Sequence, residues 1–245
     1  MKAIKSIFFL LGNIVFFACN AQDNAFVNQS KPNIIYILAD DLGYGDLICY
    51  GQEKFATPNI DKLAKEGMLF TQHYSGAPVC APSRSALLSG LHTGHTAIRG
   101  NKGVEPEGEF PMPEATFTIA ELLQQKGYAT GAFGKWGLGF PGSEGDPLQQ
   151  GFNTFYGYNS QALAHHYYPN HLWENENKVL ITENEGTKNG QYAPDLIHQK
   201  ALSFIDKHQK ESFFLYYASP LPHAELVAPP FYMDQFVGKY NPEKE

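Results

Sequence analysis

Cysteine is scarce in this chain, with three residues in 245, at positions 19, 49 and 80. Positive charge is also short: 18 Lys and Arg stand against 25 Asp and Glu, for a formal net charge of -7. That balance argues against a nucleic-acid binder, which would show a basic face, and suits a site that holds a divalent cation. No internal repeat, low-complexity tract or interdomain linker is present. The longest apolar run, Ile7 to Ala18, falls short of the roughly 20 residues that a membrane-spanning helix needs. What remains is a globular composition, with 43% hydrophobic, 14% aromatic and 18% charged residues. The length suits one α/β domain with a large core, or part of a bigger one. The 23 glycines and 16 prolines indicate tight turns and long shaped loops.

The N-terminus reads as an export signal. Met1 to Lys5 carries positive charge, "IFFLLGNIVFFA" at 7–18 is the apolar core, and Cys19-Asn20-Ala21 offers a small-x-small cleavage site. Cys19 after Ala18 also resembles a bacterial lipobox, so residues 1–21 are a signal of either the cleaved or the lipoprotein type. In both cases the mature protein is exported, as a periplasmic protein or as an outer-membrane lipoprotein whose membrane contact is the lipid on Cys19. Cys49 and Cys80 then remain, and an exported protein with two cysteines has one disulfide as its default expectation.

Strands and helices alternate along the rest. Asn33 to Ala39 is a continuous, β-branched apolar run of the kind buried on both faces. Helices are expected at 58–67, at 83–89, at 118–126 with Gly127 as the stop, and at 195–207. Further strands are expected at 128–134 ("YATGAFG") and 213–218 ("FFLYYA"). This order predicts a mostly parallel sheet sandwiched by helices on both faces. Residues 138–192, rich in Gly, Asn, Tyr and His, read as a long loop region over a site.

Chemistry gathers where strands end, the place at which open α/β sheets bind ligands. Asp40 and Asp41 follow the first strand. Adjacent carboxylates outside a charged run suit a hard divalent cation, although Asp-Asp-Leu-Gly is also good turn chemistry. Lys135, framed by glycines, follows the second strand, and His223 follows the third beside Pro220 and Pro222. Taken singly, each reads more readily as an ordinary loop residue. Cys80 sits with Pro82, Ser83 and Arg84 at the mouth of a helix, neighbours that a buried structural thiol does not need. Cations converging on a helix N-terminus form an oxyanion site.

Five blocks in order extend this pattern: "PNIIYILADDLGYGD" at 32–46, "TPNIDKLAKEGMLF" at 57–70, "CAPSRSALLSGLHTG" at 80–94, "GKWGLG" at 134–139 and "FFLYYASPLPHAEL" at 213–226. Together they resemble the type I, formylglycine-dependent sulfatases of the alkaline phosphatase-like superfamily. The resemblance implies that a maturation enzyme reads Pro82 and Arg84 and oxidises Cys80 to Cα-formylglycine. It implies a metal site of Asp40, Asp41 and the converted residue 80, holding Ca2+ or Mg2+. Arg84 would position the formylglycine hydrate, Lys135 would bind sulfate, and His223 would protonate the leaving alcohol. The hydrate supplies the nucleophile, and its second hydroxyl expels sulfate by reforming the aldehyde. The loop at 161–174, with stacking aromatics and His165 and His166 as substrate contacts, leans towards a sulfated sugar or glycan.

The sequence departs from that family in two ways. Gly137 stands where members often carry a histidine that contacts the formylglycine hydroxyl, which leaves the base for sulfate expulsion unassigned. Members also run on well past this length to a later Asp-Asn pair on the metal, so residues 22–245 read as the N-terminal portion of a catalytic domain, truncated before its C-terminal part. Two other readings stand beside a sulfuric ester hydrolase. One is a phosphonate or phosphodiester hydrolase of the same superfamily, and the other is a non-catalytic glycan-binding remnant.

Overall fold

The computed structural model describes residues 31–223 and 225–240. The expected signal at 1–21, with Cys19, lies outside the described residues. Strands β1 (Ile34–Asp40), β2 (Ala129–Lys135), β3 (Thr154–Tyr158), β4 (His171–Glu174), β5 (Asn177–Leu180) and β6 (Phe213–Pro222) form one sheet in the order β1-β6-β2-β3-β4-β5. The first four in that order are parallel to one another, while β3–β4 and β4–β5 are antiparallel. A mostly parallel sheet is what the alternating pattern predicts. No helix among the described residues is long and apolar enough to cross a membrane.

Local chemistry sets the helices α1 (Pro58–Glu66), α2 (Cys80–Ser89), α3 (Ile119–Gln125), α4 (Ala193–His208) and the short α5 (Pro230–Met233). Proline opens α1, where its missing N–H costs nothing. A reciprocal cap starts α3: the Glu121 amide donates to Thr118 Oγ1, and the Thr118 amide donates to the Glu121 carboxylate. Gly90, left-handed at φ 70°, ends α2. The start of α2 is Cys80 and not Ser83 as the sequence suggests. Asn101 Oδ1 accepts the Ala81 amide at 2.9 Å, a cap supplied from 20 residues away.

The core has two parts. One gathers Ala81 and Leu88 of α2 and Ala120 of α3 with Trp136, Phe152, Phe214 and Tyr216. The other packs Ile197, Ala201 and Phe204 of α4 on Phe133, Phe213 and Leu215. Expectation fails at β1, which is not buried on both faces. Ile34, Tyr36 and Leu38 pack on the first cluster, but Ile35 and Ile37 remain 49% and 64% exposed. An apolar run shows that both faces suit burial, and it is silent on which elements cover them.

The region 138–192 is also not one long loop. It holds β3, β4 and β5, and a buried tie fastens its hairpin. Glu107 accepts from the Trp173 indole at 2.8 Å and bonds His171 Nε2 at 2.7 Å, with Lys178 at 3.3 Å. Burial pushes the Glu107 carboxyl up, but these partners outweigh it and bring it from 4.5 down to about 2. A folded value below the unfolded one means stability that is present above pH 4.5 and lost as pH falls towards 2. Glu107→Ala should cost about 1–3 kcal/mol at neutral pH, because the buried His171 and the partly buried Trp173 lose their acceptor. Thermal melts at pH 7 and near pH 2 check this, and the difference between variants should shrink at the lower pH.

Candidate active site

Lys135 is the hub. It ends β2, and its side chain is fully buried. The preceding Gly134, at φ 115°, lets β2 approach β6 closely; a Cβ there would overlap the backbone of Ala218. Lys135 Nζ donates to Asp40 Oδ2 at 2.6 Å and stands 3.3 Å from Cys80 Sγ. Arg84, one turn into α2, donates from Nη2 to Asp40 Oδ1 at 3.1 Å and from Nη1 to the Lys135 carbonyl at 2.6 Å. Asp40, Cys80, Arg84 and Lys135, from three separate elements, thus form one contact network. Burial pushes the Asp40 carboxyl up, and the charges of Arg84 and Lys135 override it and hold it below the usual range.

His223 lies just beyond β6. Its Nε2 is 3.3 Å from Asp41 Oδ2, and the Tyr167 hydroxyl donates to its carbonyl. The His165 ring stacks on it, 4.4 Å between centroids and 13° from parallel. Burial, then the charges of Lys135 and His223, push His165 below the ordinary imidazole value. His166 goes elsewhere: its ring is exposed and faces Glu225 at 3.6 Å. Of the two expected substrate contacts, the structure brings only His165 to His223.

Asp40, Cys80 and His223 offer ligand atoms within 4.8 Å of one another. Asp41, left-handed at φ 60°, turns its largely exposed carboxylate to His223 at the edge of that group. Cys49 and Cys80 are both free thiols, so the default disulfide does not form. Beside Cys80 a cavity of about 190 Å³ is lined by Asp40, Asp41, Ser75, Val79 and Ser83 among others.

The donor set can be tested against a hard cation. Calcium takes six to eight oxygens, and thiol sulfur is a poor ligand for it. Asp40 and Asp41 supply carboxylate oxygens, each of which keeps a lone pair beyond the bonds described. Residue 80 becomes an oxygen donor only when its sulfur is replaced. Two carboxylates balance Arg84 and Lys135, so a dication would leave this centre positive, as an anionic substrate requires. The residues therefore fit such a cation as part of its ligand shell.

Sequence reasoning missed Asn101 as the cap of α2 and Tyr167 as the partner of the His223 carbonyl. Each takes its place through contacts across the fold, and no local motif marks it. Comparison with known proteins bears on the family of the chain. A family profile described as Sulfatase matches residues 32–245. The chain is 32% identical to an N-acetylgalactosamine-6-O-sulfatase of Bacteroides thetaiotaomicron over an alignment covering 98% of this chain and 57% of the relative. It is 48% identical to human arylsulfatase D over 53% of this chain and 23% of that one. A crystal structure of Ps i-CgsB in complex with k-i-k-neocarrahexaose superposes with a TM-score of 0.73 at 33% identity, covering 85% of this chain and 49% of that chain. The chain thus spans only part, from about a quarter to rather over half, of the length of these proteins.

Proposed function

We propose, for a chain that belongs to the sulfatase family, that it contributes the nucleophile and sulfate-binding half of a sulfuric ester hydrolase acting on a sulfated sugar or glycan. The contact of Lys135 Nζ with both Asp40 and Cys80 Sγ carries this reading. It puts a buried cation against the residue that supplies the nucleophile, at a helix N-terminus where an anion is favoured. A sulfated sugar is supported by the N-acetylgalactosamine-6-O-sulfatase relative and by the neocarrahexaose bound in the solved one.

In this proposal Cys80 is oxidised to formylglycine by a maturation enzyme, and the resulting aldehyde hydrate supplies an oxygen nucleophile and a built-in way to release sulfate. Asp40 and Asp41 would hold calcium, with magnesium as the alternative; when bound, the cation polarises oxygen. Lys135 holds the sulfate oxygens, and Arg84 fixes both Asp40 and the Lys135 backbone. His223 gives its proton to the departing alcohol, with Asp41 setting the tautomer and His165 stacked on its ring. His166, turned to Glu225, would meet only a longer glycan. Export to the periplasm or outer membrane belongs to the same proposal and is carried by residues 1–21. Sulfate release from N-acetylgalactosamine 6-sulfate, followed by ion chromatography on the matured protein with calcium, tests the activity; no release from any sulfated sugar would overturn it.

The role of His223 has its own test. His223→Ala should lower kcat on sugar sulfates by about 10²–10⁴-fold, the range typical of a general acid. On an activated aryl sulfate the loss should be far smaller, since a phenolate leaves without a proton. Equal losses on both substrates would remove His223 from the acid role.

A further inference from the structure

Position 137 carries no side chain, yet the space beside it is full. Gly137 lies just past β2 at φ 73°, and its amide donates to the Asn159 carbonyl at 3.1 Å. A Cβ built there would overlap the side-chain amide nitrogen of Gln161. Gln161 is itself only 4% exposed and is anchored by its backbone amide, which donates to Glu109 Oε1 at 3.0 Å. Its Nε2 reaches the Gly137 carbonyl over a long 3.5 Å, and its Oε1 has no hydrogen-bond partner among the described residues. Glu109, buried as well, lies within the field of the Lys135 charge. A buried carboxamide with an unmade bond is costly and is rarely kept without a use.

We propose that Gln161 is a positioning residue for Lys135: its carboxamide fills the space left at 137 and clamps the Lys135–Trp136–Gly137 exit between β2 and the turn after β3, so that the ammonium stays on Cys80. The backbone amides of Trp136 and Gly137 donate to the carbonyls of Tyr158 and Asn159, and the carboxamide holds the carbonyl side of the exit. Gly137 has wide backbone freedom, and Arg84 is oriented by the carbonyl of Lys135. A shift there moves both cations of the site.

The test uses protein made without the maturation enzyme, so that Cys80 keeps its thiol. Alkylation of Cys80 by iodoacetamide is followed by peptide mass spectrometry, with Cys49 as the internal reference. Gln161→Ala removes the clamp, whereas Gln161→Met keeps its volume and loses its amide. Both should slow Cys80 relative to Cys49 by about threefold or more, because the Lys135 ammonium would leave the sulfur from which it now stands 3.3 Å. Both should also weaken inorganic sulfate, titrated calorimetrically into the same proteins, by about tenfold, since a charge-assisted partner is displaced. The sulfate measurement rests on the sulfate site proposed above, and the alkylation measurement does not. If the unaltered protein binds no sulfate, that site fails and alkylation alone decides the role of Gln161. An unchanged Cys80 rate in Gln161→Ala, or a Met variant equal to the unaltered protein, would reduce Gln161 to packing and overturn the inference.

Discussion

Cys80→Ser should release about one equivalent of phenol from an aryl sulfate per protein molecule and then stop. In the proposed reaction the introduced hydroxyl oxygen can still bond to sulfur as the bond from sulfur to the aryl oxygen breaks, its proton ending on the phenol, with Lys135 holding the sulfate. What it lacks is a second hydroxyl on the same carbon. Sulfate can then leave only if water attacks the sulfur, a step for which the site has no dedicated group. Steady turnover should fall by something like 10⁴–10⁶-fold, the scale seen when a nucleophile is removed. Quenched-flow product counts and the intact mass, heavier by one sulfo group, would show it. Continuous turnover by the serine variant would exclude the hydrate mechanism.

Asp40→Asn should be the most destabilising single change at the site. Arg84 and Lys135 are 2% and 0% exposed, and Asp40 is their shared counter-ion. Without it, two buried cations repel each other with no compensating charge. Breaking a buried pair costs about 3–5 kcal/mol. For a domain of this size that corresponds to about 6–20 °C in Tm. The dependence on pH has a definite sign. The folded Asp40 carboxyl lies below its ordinary value of 3.8, so its stabilisation is present above that pH and fades as pH falls through the lower, folded value. Melting curves in calcium-free buffer should therefore separate widely at pH 7 and converge in acid. A gap that widened on acidification would refute the pairing.

Much of this network is readable from the chain, and the reason is positional. Asp40, Lys135 and His223 each follow an apolar run long enough to identify as a strand, and parallel strands deliver their ends to one edge. Cys80 and Arg84 carry their own motif. The strands β3, β4 and β5 are not readable. Each has only four or five residues, too few for a period of two to stand out among Gly, Asn and His. Gln161 is hidden for another reason: what it does depends on a residue 24 positions away having no side chain. The cover on β1 is equally unreadable, because an exposed and a buried isoleucine are spelled the same.

The position of β6 has a consequence in time. It lies between β1 and β2 in the sheet, yet it is the last of the six strands to be synthesised. Its pairing with β1 joins Ile34 to Phe214 and Ile35 to Leu215, residues 180 apart in sequence. Pairings over such separations close late. Until β6 enters, β1 has no neighbouring strand among those described, and Asp40 at its end is not held against Lys135. During that interval Ala81 and Leu88 of α2 also lack Phe214 and Tyr216 of β6, with which they share a core. Under the proposed maturation, an enzyme that grips Pro82 and Arg84, both of them buried in the folded protein, would have its opportunity then. Slowing the entry of β6 would lengthen the interval for oxidation, and accelerating it would leave more molecules with an unconverted thiol.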